Sequence, residues 1–317
     1  MVQRPWSVQI ELVEGCNRLC DFCGINGIRS KPGQDIKVMS YDIAAIIAKQ
    51  CVDLNPTARY EFAMHGEPML HPFVCNIIHM FRGVLPNAQF QMTTNGRMML
   101  HDVSASVLAL LDAGLDFIVV DTYEPERLRL QNALTMLDGT VDVYDFYDDC
   151  IPMKLSPWYN YHRKLNNSVI IMDDLGERSG EVKSRVIFNH AGNAFKDDNA
   201  PYDKVCTIPF RELSVCYDGD VCICCMDWGH EYVCGNASRT SLIDIWYGEE
   251  FEAARKILYQ RKRTFSPCAR CDHPSGSRAG LLPHYDPPTE EDIGIVSDIV
   301  EYSIPRNGFE RILPESI

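Results

Sequence analysis

The 317-residue chain is predicted to be an α/β protein, a parallel sheet wrapped by helices and followed by a smaller hairpin-and-helix region. Segments with the two-residue alternation of strands take turns with segments of helical length. Polar, turn-forming residues stand where each strand ends, and Asp218-Gly219 between alternating apolar residues marks a tight hairpin late in the chain. Residues 8–13 alternate as a first strand, and Ser40 can cap a helix over 41–49. A second strand runs over 59–64, a helix over 72–82 leads to a strand over 89–96, and a helix over 102–113 precedes a strand over 117–121. Strands separated by helices of this length pair in parallel through right-handed crossovers. Residues 125–137 read as a further helix, residues 141–154 have no clean period, and residues 185–192 read as a sixth strand.

Composition narrows the class. A 46% apolar content supports real cores, and the length suggests two domains. Thirty basic residues against 44 acidic ones give a net charge of −14, which disfavours phosphate backbones and anionic membranes and makes nucleic acid an unsuitable partner. There is no signal peptide and no apolar segment long enough to cross a membrane. Fourteen cysteines in a chain of this length point to metal sites and free thiols in a reducing, low-oxygen cytoplasm rather than to a disulfide framework.

Cys16, Cys20 and Cys23 follow the first strand with the spacing C-x3-C-x2-C. Three thiolates from one loop suit a four-iron cube with one iron left open better than a zinc that wants four ligands. The loop falls where a strand's carboxyl end meets a crevice. A zinc loop, or thiols buried as small apolar groups, is the alternative. With Phe22 in the aromatic place, the loop resembles the C-x3-C-x-aromatic-C of the radical S-adenosylmethionine (SAM) superfamily. Gly66-Glu67-Pro68 is similar to the family's second-strand G-G-E-P, with His65 in place of the first glycine. Thr94-Asn95-Gly96 is similar to its third-strand T-N-G, and Asn189 and Gly192 to the N-x-x-G near its sixth strand.

The resemblance implies a partial (βα)6 TIM-type barrel over residues 1–200, with ligands at the strands' carboxyl ends. It implies a [4Fe-4S] cluster on Cys16, Cys20 and Cys23, whose open iron is chelated by SAM, and reductive cleavage of SAM to a 5'-deoxyadenosyl radical that abstracts hydrogen. Phe22, Gly66, Glu67, Pro68, Thr94, Asn95 and Asn189 are the implied cofactor-binding residues. Asp121, Tyr123 and Glu124 stand at the fourth strand end as ribose or substrate contacts, or else as a charged loop rim.

A second set begins at Cys206, with C-x12-G-x4-C through Gly219 to Cys224, helix-forming stretches over 241–246 and 251–261, and then Cys268 and Cys271. It resembles the auxiliary-cluster region of SPASM and twitch proteins. The implied site, over residues 201–275, is one auxiliary [4Fe-4S] cluster on Cys206, Cys224, Cys268 and Cys271. No cysteine follows Cys271, which matches the one-cluster twitch form and leaves residues 276–317 as a Pro- and acid-rich tail. Zinc on the same four thiols is the alternative. Cys225 competes with Cys224 as ligand, and the hairpin register decides between them. The other cysteines (Cys51, Cys75, Cys150, Cys216, Cys222, Cys234 and, if not a ligand, Cys225) read as buried small residues, with a hydrogen-atom donor among them as the functional option.

The expected activity is a radical SAM oxidoreductase acting on a small molecule such as a sugar, aminocyclitol or nucleoside-like compound. Cys16 comes too early for the leader-binding domain that peptide-modifying relatives carry. The leading outcome is a two-electron oxidation in which the auxiliary cluster takes the second electron, with a flavodoxin- or ferredoxin-type protein as reductant. The alternatives are redox-neutral epimerisation or isomerisation with Cys225 or Cys150 quenching the substrate radical, a peptide-modifying maturase, and a non-catalytic iron-sulfur or zinc protein. Candidate bases are His65, Tyr123, His162, Arg185 and His190, histidine having the advantage of a pKa near neutrality. The aromatic run 158–162 reads as a packed loop or a substrate lid.

Overall fold

The computed structural model describes residues 3–20, 22–27, 36–145, 165–172, 189–194 and 205–273. In chain order the strands and helices are β1 (Ser7–Ile10), β2 (Val13–Glu14), β3 (Lys37–Val38), α1 (Tyr41–Leu54), β4 (Arg59–Glu61), α2 (Val74–Val84), β5 (Gln89–Thr94), α3 (Val103–Asp112), β6 (Phe117–Asp121), α4 (Arg127–Thr135), β7 (Asp142–Asp145), β8 (Ser168–Met172), β9 (Glu212–Val215), β10 (Asp220–Cys222), β11 (Val233–Asn236), α5 (Leu242–Trp246) and α6 (Glu249–Tyr259). Helix starts follow local chemistry. Ser40, Asp102 and Ser241 each accept the backbone N–H three residues on, from Ile43, Ala105 and Asp244, which satisfies a donor that has no partner inside the helix.

The main sheet has the order β11-β10-β9-β1-β4-β5-β6-β8-β7, and β2 and β3 form a separate antiparallel pair. The strands from β9 through β1 to β7 run parallel, while the β9-β10-β11 meander is antiparallel. This is the mixed α/β architecture of a partial TIM-type barrel followed by a small carboxyl-terminal region. The meander is not a detached layer: β9 pairs directly with β1, Ser7 opposite Glu212 and Ile10 opposite Val215.

The two faces of the sheet differ. Val8, Ile10, Tyr60, Phe90, Met92, Ile118, Val120, Val169, Leu213 and Val215 lie in one buried apolar cluster with Ile47, Ile77, Phe81 and Val107 of the helices. The alternate positions, Ser7, Arg59, Glu61, Gln89, Gln91, Glu212 and Ser214, are polar and equally buried. A strand's side chains alternate between faces, so the helix side is apolar and the inner side is lined with hydrogen-bonding groups, interrupted by a small apolar patch of Phe117, Val119 and Ile170.

Two segments depart from the sequence expectation. Residues 168–172, Ser-Val-Ile-Ile-Met, form β8, which inserts between β6 and β7. The run is buried on both faces, so it shows no alternation to read. Residues 189–192, the described end of the sixth strand expected over 185–192, lie instead in a turn in which Gly192 N–H donates to Asn189 O at 2.9 Å. His190 and Ala191 have φ of 48° and 54° there, outside the extended range a strand needs. His162, Arg185, the run 158–162, Cys150 and the tail 276–317 lie outside the described residues.

α1 packs against α5 of the carboxyl-terminal region, and one of its side chains adds two hydrogen bonds across the junction. Gln50 Nε2 donates to Ala237 O at 2.9 Å and its Oε1 accepts Leu242 N–H at 2.8 Å. Gln50→Ala, which strands a backbone donor and acceptor, is expected to lower the unfolding free energy by about 1–3 kcal/mol, read as a fall in the urea midpoint at constant slope. An unchanged midpoint would show that water replaces both contacts.

Candidate functional site

The cysteine loop is held at the sheet's carboxyl end by backbone rather than by side chains. After β2 the chain bridges Gly15 to Gly66, and Glu67 N–H donates to Gly15 O at 2.8 Å. A Cβ on Gly66 would stand 2.2 Å from Val13 O and 2.4 Å from Gly15 O, so only glycine permits this approach. Glu67 then ties the second strand end to the third: its Oε1 accepts Met69 N–H at 3.0 Å and Thr94 Oγ1 at 2.6 Å, and its Oε2 accepts Asn95 N–H at 2.8 Å. Burial raises the Glu67 carboxyl, against those three donors. The carboxylate expected to meet SAM is therefore taken up inside the chain.

Asn95 reaches back to the loop, its Nδ2 donating to Asn17 Oδ1 at 2.9 Å and to Cys16 Sγ at 3.4 Å. Arg18 N–H also faces Cys16 Sγ, at 3.3 Å. Cys20 is pushed up to about 11 by burial and by Cys16, with Arg18 opposing. The Arg18 guanidinium pairs with Glu126 at 2.9 Å, donates to Glu124 O at 2.8 Å, and lies 4.8 Å from the centre of the Tyr123 ring, which itself stacks on Phe22 at 6.3 Å. Asp121, at the end of β6, is pushed up to about 7 by burial and by Glu67 and Glu61, with a hydrogen bond from Tyr123 opposing. Phe22, Gly66, Glu67, Pro68, Thr94, Asn95, Asp121 and Tyr123 thus gather around one thiol loop.

The second set of thiols is also assembled. Burial, and then Cys225, Cys268, Cys206 and Cys271, push the Cys224 thiol well above its ordinary range, and Cys268 responds to Cys206 and Cys271 in the same way. Cys206, Cys224, Cys268 and Cys271 are each under one tenth exposed. Cys225, the next residue in the chain, looks the other way: its Sγ donates to Glu212 Oε1 at 3.5 Å on the inner face. The hairpin register so separates the two neighbours, Cys224 with the other three cysteines and Cys225 toward the barrel interior. Four buried thiols without disulfides, in a low dielectric where each disfavours the others' ionisation, suit a bound cation that draws off their protons. The three half-buried thiols of the amino-terminal loop, with N–H groups already aimed at Cys16, suit one as well. The donor sets therefore fit iron-sulfur clusters.

Two side chains that sequence reasoning passed over join the sites. Trp228 packs against His65 at 4.5 Å and His190 at 5.4 Å, and a Cβ on Gly24 would come within 2.5 Å of its indole. Glu11 Oε1 stands 2.9 Å from His65 Nδ1, while His65 Nε2 lies 2.9 Å from Cys225 O. Burial disfavours a charged imidazole, but the Glu11 carboxylate outweighs it and His65 is held above its usual pKa. His65 is thus enclosed and engaged rather than open at a barrel mouth. Asn189 is engaged too, its Nδ2 donating to Arg270 O at 2.7 Å and its N–H to Asp272 Oδ1 at 2.8 Å, so the residue expected beside SAM holds the 189–194 turn against the last cysteine pair.

Comparison with known proteins follows the same division. Residues 206–272 match the SPASM family, an iron-sulfur cluster-binding domain, and the match opens on Cys206 and closes one residue beyond Cys271. The S-adenosyl-L-methionine-dependent 2-deoxy-scyllo-inosamine dehydrogenase of Niallia circulans is 22% identical over 273 residues, 84% of this chain and 93% of the relative. BtrN in complex with AdoMet and 2-DOIA superposes with a TM-score of 0.67 at 20% identity, covering 90% of this chain and 98% of BtrN. An open conformation of BtrN gives 0.58 at 18% identity, covering 86% and 94%. Residues 206–272 therefore carry a SPASM-type iron-sulfur domain, and the chain as a whole is similar to a SAM-dependent dehydrogenase. Among the described residues no helix is long and apolar enough to cross a membrane.

Gly66→Ala sets a methyl group against two backbone carbonyls that have no freedom to rotate away. The expected cost is about 1–3 kcal/mol of stability, with loss of the Gly15–Gly66 bridge. Urea unfolding measures the first, and the second shows as a fall in iron retained by the anaerobically purified protein. Full iron content at wild-type stability would mean the turn does not order the loop.

Proposed function

We propose that the chain is a radical SAM dehydrogenase that oxidises a carbon bearing oxygen or nitrogen in a small, polyhydroxylated or aminated ring compound. The observation that carries this reading is the polar inner face of the sheet. Gln89 Nε2, Gln91 Oε1 and Ser214 Oγ are buried there without hydrogen-bond partners among the described residues, near Glu61, Glu212 and Cys225. Buried polar groups left unmatched by the chain cost stability unless a ligand meets them, and a ring rich in hydroxyl and amino groups has the donors and acceptors to do so. The dehydrogenase from Niallia circulans, whose name gives an aminocyclitol as substrate, supports the same class.

On this proposal Cys16, Cys20 and Cys23 hold one [4Fe-4S] cluster with SAM, and Cys206, Cys224, Cys268 and Cys271 hold the other. When bound, these groups supply radical hydrogen abstraction and acceptance of one electron. The chain's own residues do the rest. The 66–68 turn offers backbone acceptors to an amino group, while Glu67, held by three donors of the chain, keeps that turn in place. Asn95 and the Arg18 N–H donate to Cys16 Sγ and so tune the potential of the site. Glu61, whose carboxyl is raised by burial on the inner face, is placed to take the proton that leaves the substrate hydroxyl or ammonium. A flavodoxin- or ferredoxin-type protein is the proposed reductant, in the reducing cytoplasm that oxygen-sensitive clusters and free thiols need.

The test is anaerobic turnover with dithionite on 2-deoxy-scyllo-inosamine and related aminocyclitols and polyols, following 5'-deoxyadenosine and ketone together. One ketone per 5'-deoxyadenosine is expected. SAM cleavage with product at the substrate's oxidation state would overturn dehydrogenation. Replacing Cys16, Cys20 and Cys23 together by Ala is expected to lower iron from about eight to about four atoms per chain. Replacing Cys206, Cys224, Cys268 and Cys271 should do the same. Glu61→Gln is expected to lower kcat about 10²- to 10⁴-fold with iron content and SAM affinity retained.

One observation favours a second reading. Cys225 Sγ faces the inner side, hydrogen-bonded to Glu212, where a thiol can return a hydrogen atom to a substrate radical. Redox-neutral epimerisation would place deuterium from heavy water at the reacting carbon and would be lost in Cys225→Ala; dehydrogenation keeps its ketone yield in that variant.

A further inference from the structure

A third group of ligand-type side chains lies apart from both thiol sites, at the seam between β1 and the hairpin. Cys216 directly follows β9 and Cys222 ends β10, both fully buried, with their sulfurs 3.3 Å apart. One ring nitrogen of His230 lies within 4.8 Å of both sulfurs, and Glu11, His65 and His230 form a second mutual group at the same limit. His230 is the member common to both.

The sulfur spacing is far beyond the ~2.05 Å of a disulfide. It is close to the roughly 3.8 Å expected of two thiolates on a tetrahedral metal with bonds of about 2.3 Å. Around the group stand contacts that orient ligands. Glu11 Oε2 accepts Tyr217 N–H at 3.1 Å, Glu11 Oε1 faces His65 Nδ1 at 2.9 Å, and Glu14 Oε2 stands 3.4 Å from His230 Nε2, a buried atom that makes no hydrogen bond among the described residues. Asp218 and Asp220 also lie near His230, but they serve the turn: Asp218 Oδ1 accepts Asp220 N–H and Asp220 Oδ1 accepts Asn236 Nδ2. Metal ligands held by carboxylate and imidazole neighbours of this kind are the ordinary outer layer of a metal site.

We infer that Cys216, Cys222 and His230 form a third metal site, built for zinc, which Glu11, grouped with His230 though not with the two sulfurs and held by His65, completes as fourth ligand. Two thiolates, an imidazole and a carboxylate are a borderline-soft, four-ligand set, and a closed set without an open position is structural rather than catalytic. The ion joins the first barrel strand to the hairpin that carries Cys224 and Cys225, and so fixes the second thiol set relative to the barrel. The site stands whatever reaction the enzyme performs.

The full-length protein, expressed with zinc and iron in the medium and purified anaerobically, is analysed for metals and by X-ray absorption at the zinc edge. About one zinc per chain is expected beside the iron, with about two sulfur and two nitrogen or oxygen neighbours. C216S/C222S is expected to retain less than one tenth of that zinc with its iron unchanged. If the double variant loses iron as well, the wild-type absorption spectrum decides alone, since it needs no variant. Absence of zinc, a zinc with four sulfur neighbours (the Cys206, Cys224, Cys268 and Cys271 set filled by the wrong ion), zinc unchanged in the double variant, or a Cys216–Cys222 disulfide in the isolated protein would each overturn the assignment.

Discussion

The parallel pairing of β1 with β9 is the constraint on which the molecule's chemistry depends. β1 is hydrogen-bonded on one side to β4 and on the other to β9, in a register that sets Ser7 beside both Arg59 and Glu212. One strand is therefore at once the first of the barrel and the anchor of the SPASM-type domain. Cys16 lies six residues beyond its end, and Cys224 follows from β9 through a short hairpin. The distance between two thiol sets far apart in sequence is thus fixed by main-chain hydrogen bonds, which have little freedom to slip once one face is buried, because a shift of one residue would exchange the apolar and polar faces.

The same pairing explains why the barrel tolerates so polar an interior. Each inner residue of β1, β4, β5 and β9 lies beside another polar side chain at the same level, and several meet directly: Thr93 Oγ1 donates to Glu61 Oε1 at 3.1 Å and Cys225 Sγ to Glu212 Oε1 at 3.5 Å. Charge is offset across the face as well, since the coulombic effect of Arg59 lowers Glu61 and that of Glu212 raises Arg211, each against the larger effect of burial. The helix side carries the folding energy through its contiguous apolar cluster. The inner side is left to chemistry, a division of labour that places unsatisfied polar groups where a ligand can reach them.

Much of this was legible in the sequence because it is local. The strand-helix alternation, the caps at Ser40, Asp102 and Ser241, the Asp218-Gly219 hairpin and the thiol spacings each depend on residues within a few positions of one another. The structure puts the strand ends carrying Gly66, Thr94 and Asp121 beside the cysteine loop, as the alternation implies. What the sequence hid is tertiary. β8 is a short run buried on both faces, so it has no period. Glu11 reads as the polar partner in an alternating strand, and only the arrival of His65 and Tyr217 from elsewhere makes it the centre of a buried network. Trp228 gives no local sign that it fills the gap over Gly24. Asn189 belongs to a recognisable motif, yet the motif does not reveal that its amide is spent on Arg270.

His65 shows how far one substitution in a motif reaches. A glycine there would leave a space beside Glu11 and Trp228, and Glu11 would lose the imidazole that faces its Oε1, keeping the Tyr217 N–H and the nearby His230. The imidazole fills the space, supplies a positive partner at 2.9 Å, and spans to Cys225 O on the hairpin. Burying an ion pair costs desolvation at both ends and returns it only where geometry and further hydrogen bonds are good. Here the pair is worth keeping because of where it sits rather than for stability alone. It binds the residue after Cys224 to the strand before Cys16, so the turn that follows β4 and the hairpin that follows β9 move as one body. An enzyme that must hold two redox centres and a substrate in fixed relation has a use for that rigidity, since electron and hydrogen transfer depend steeply on placement.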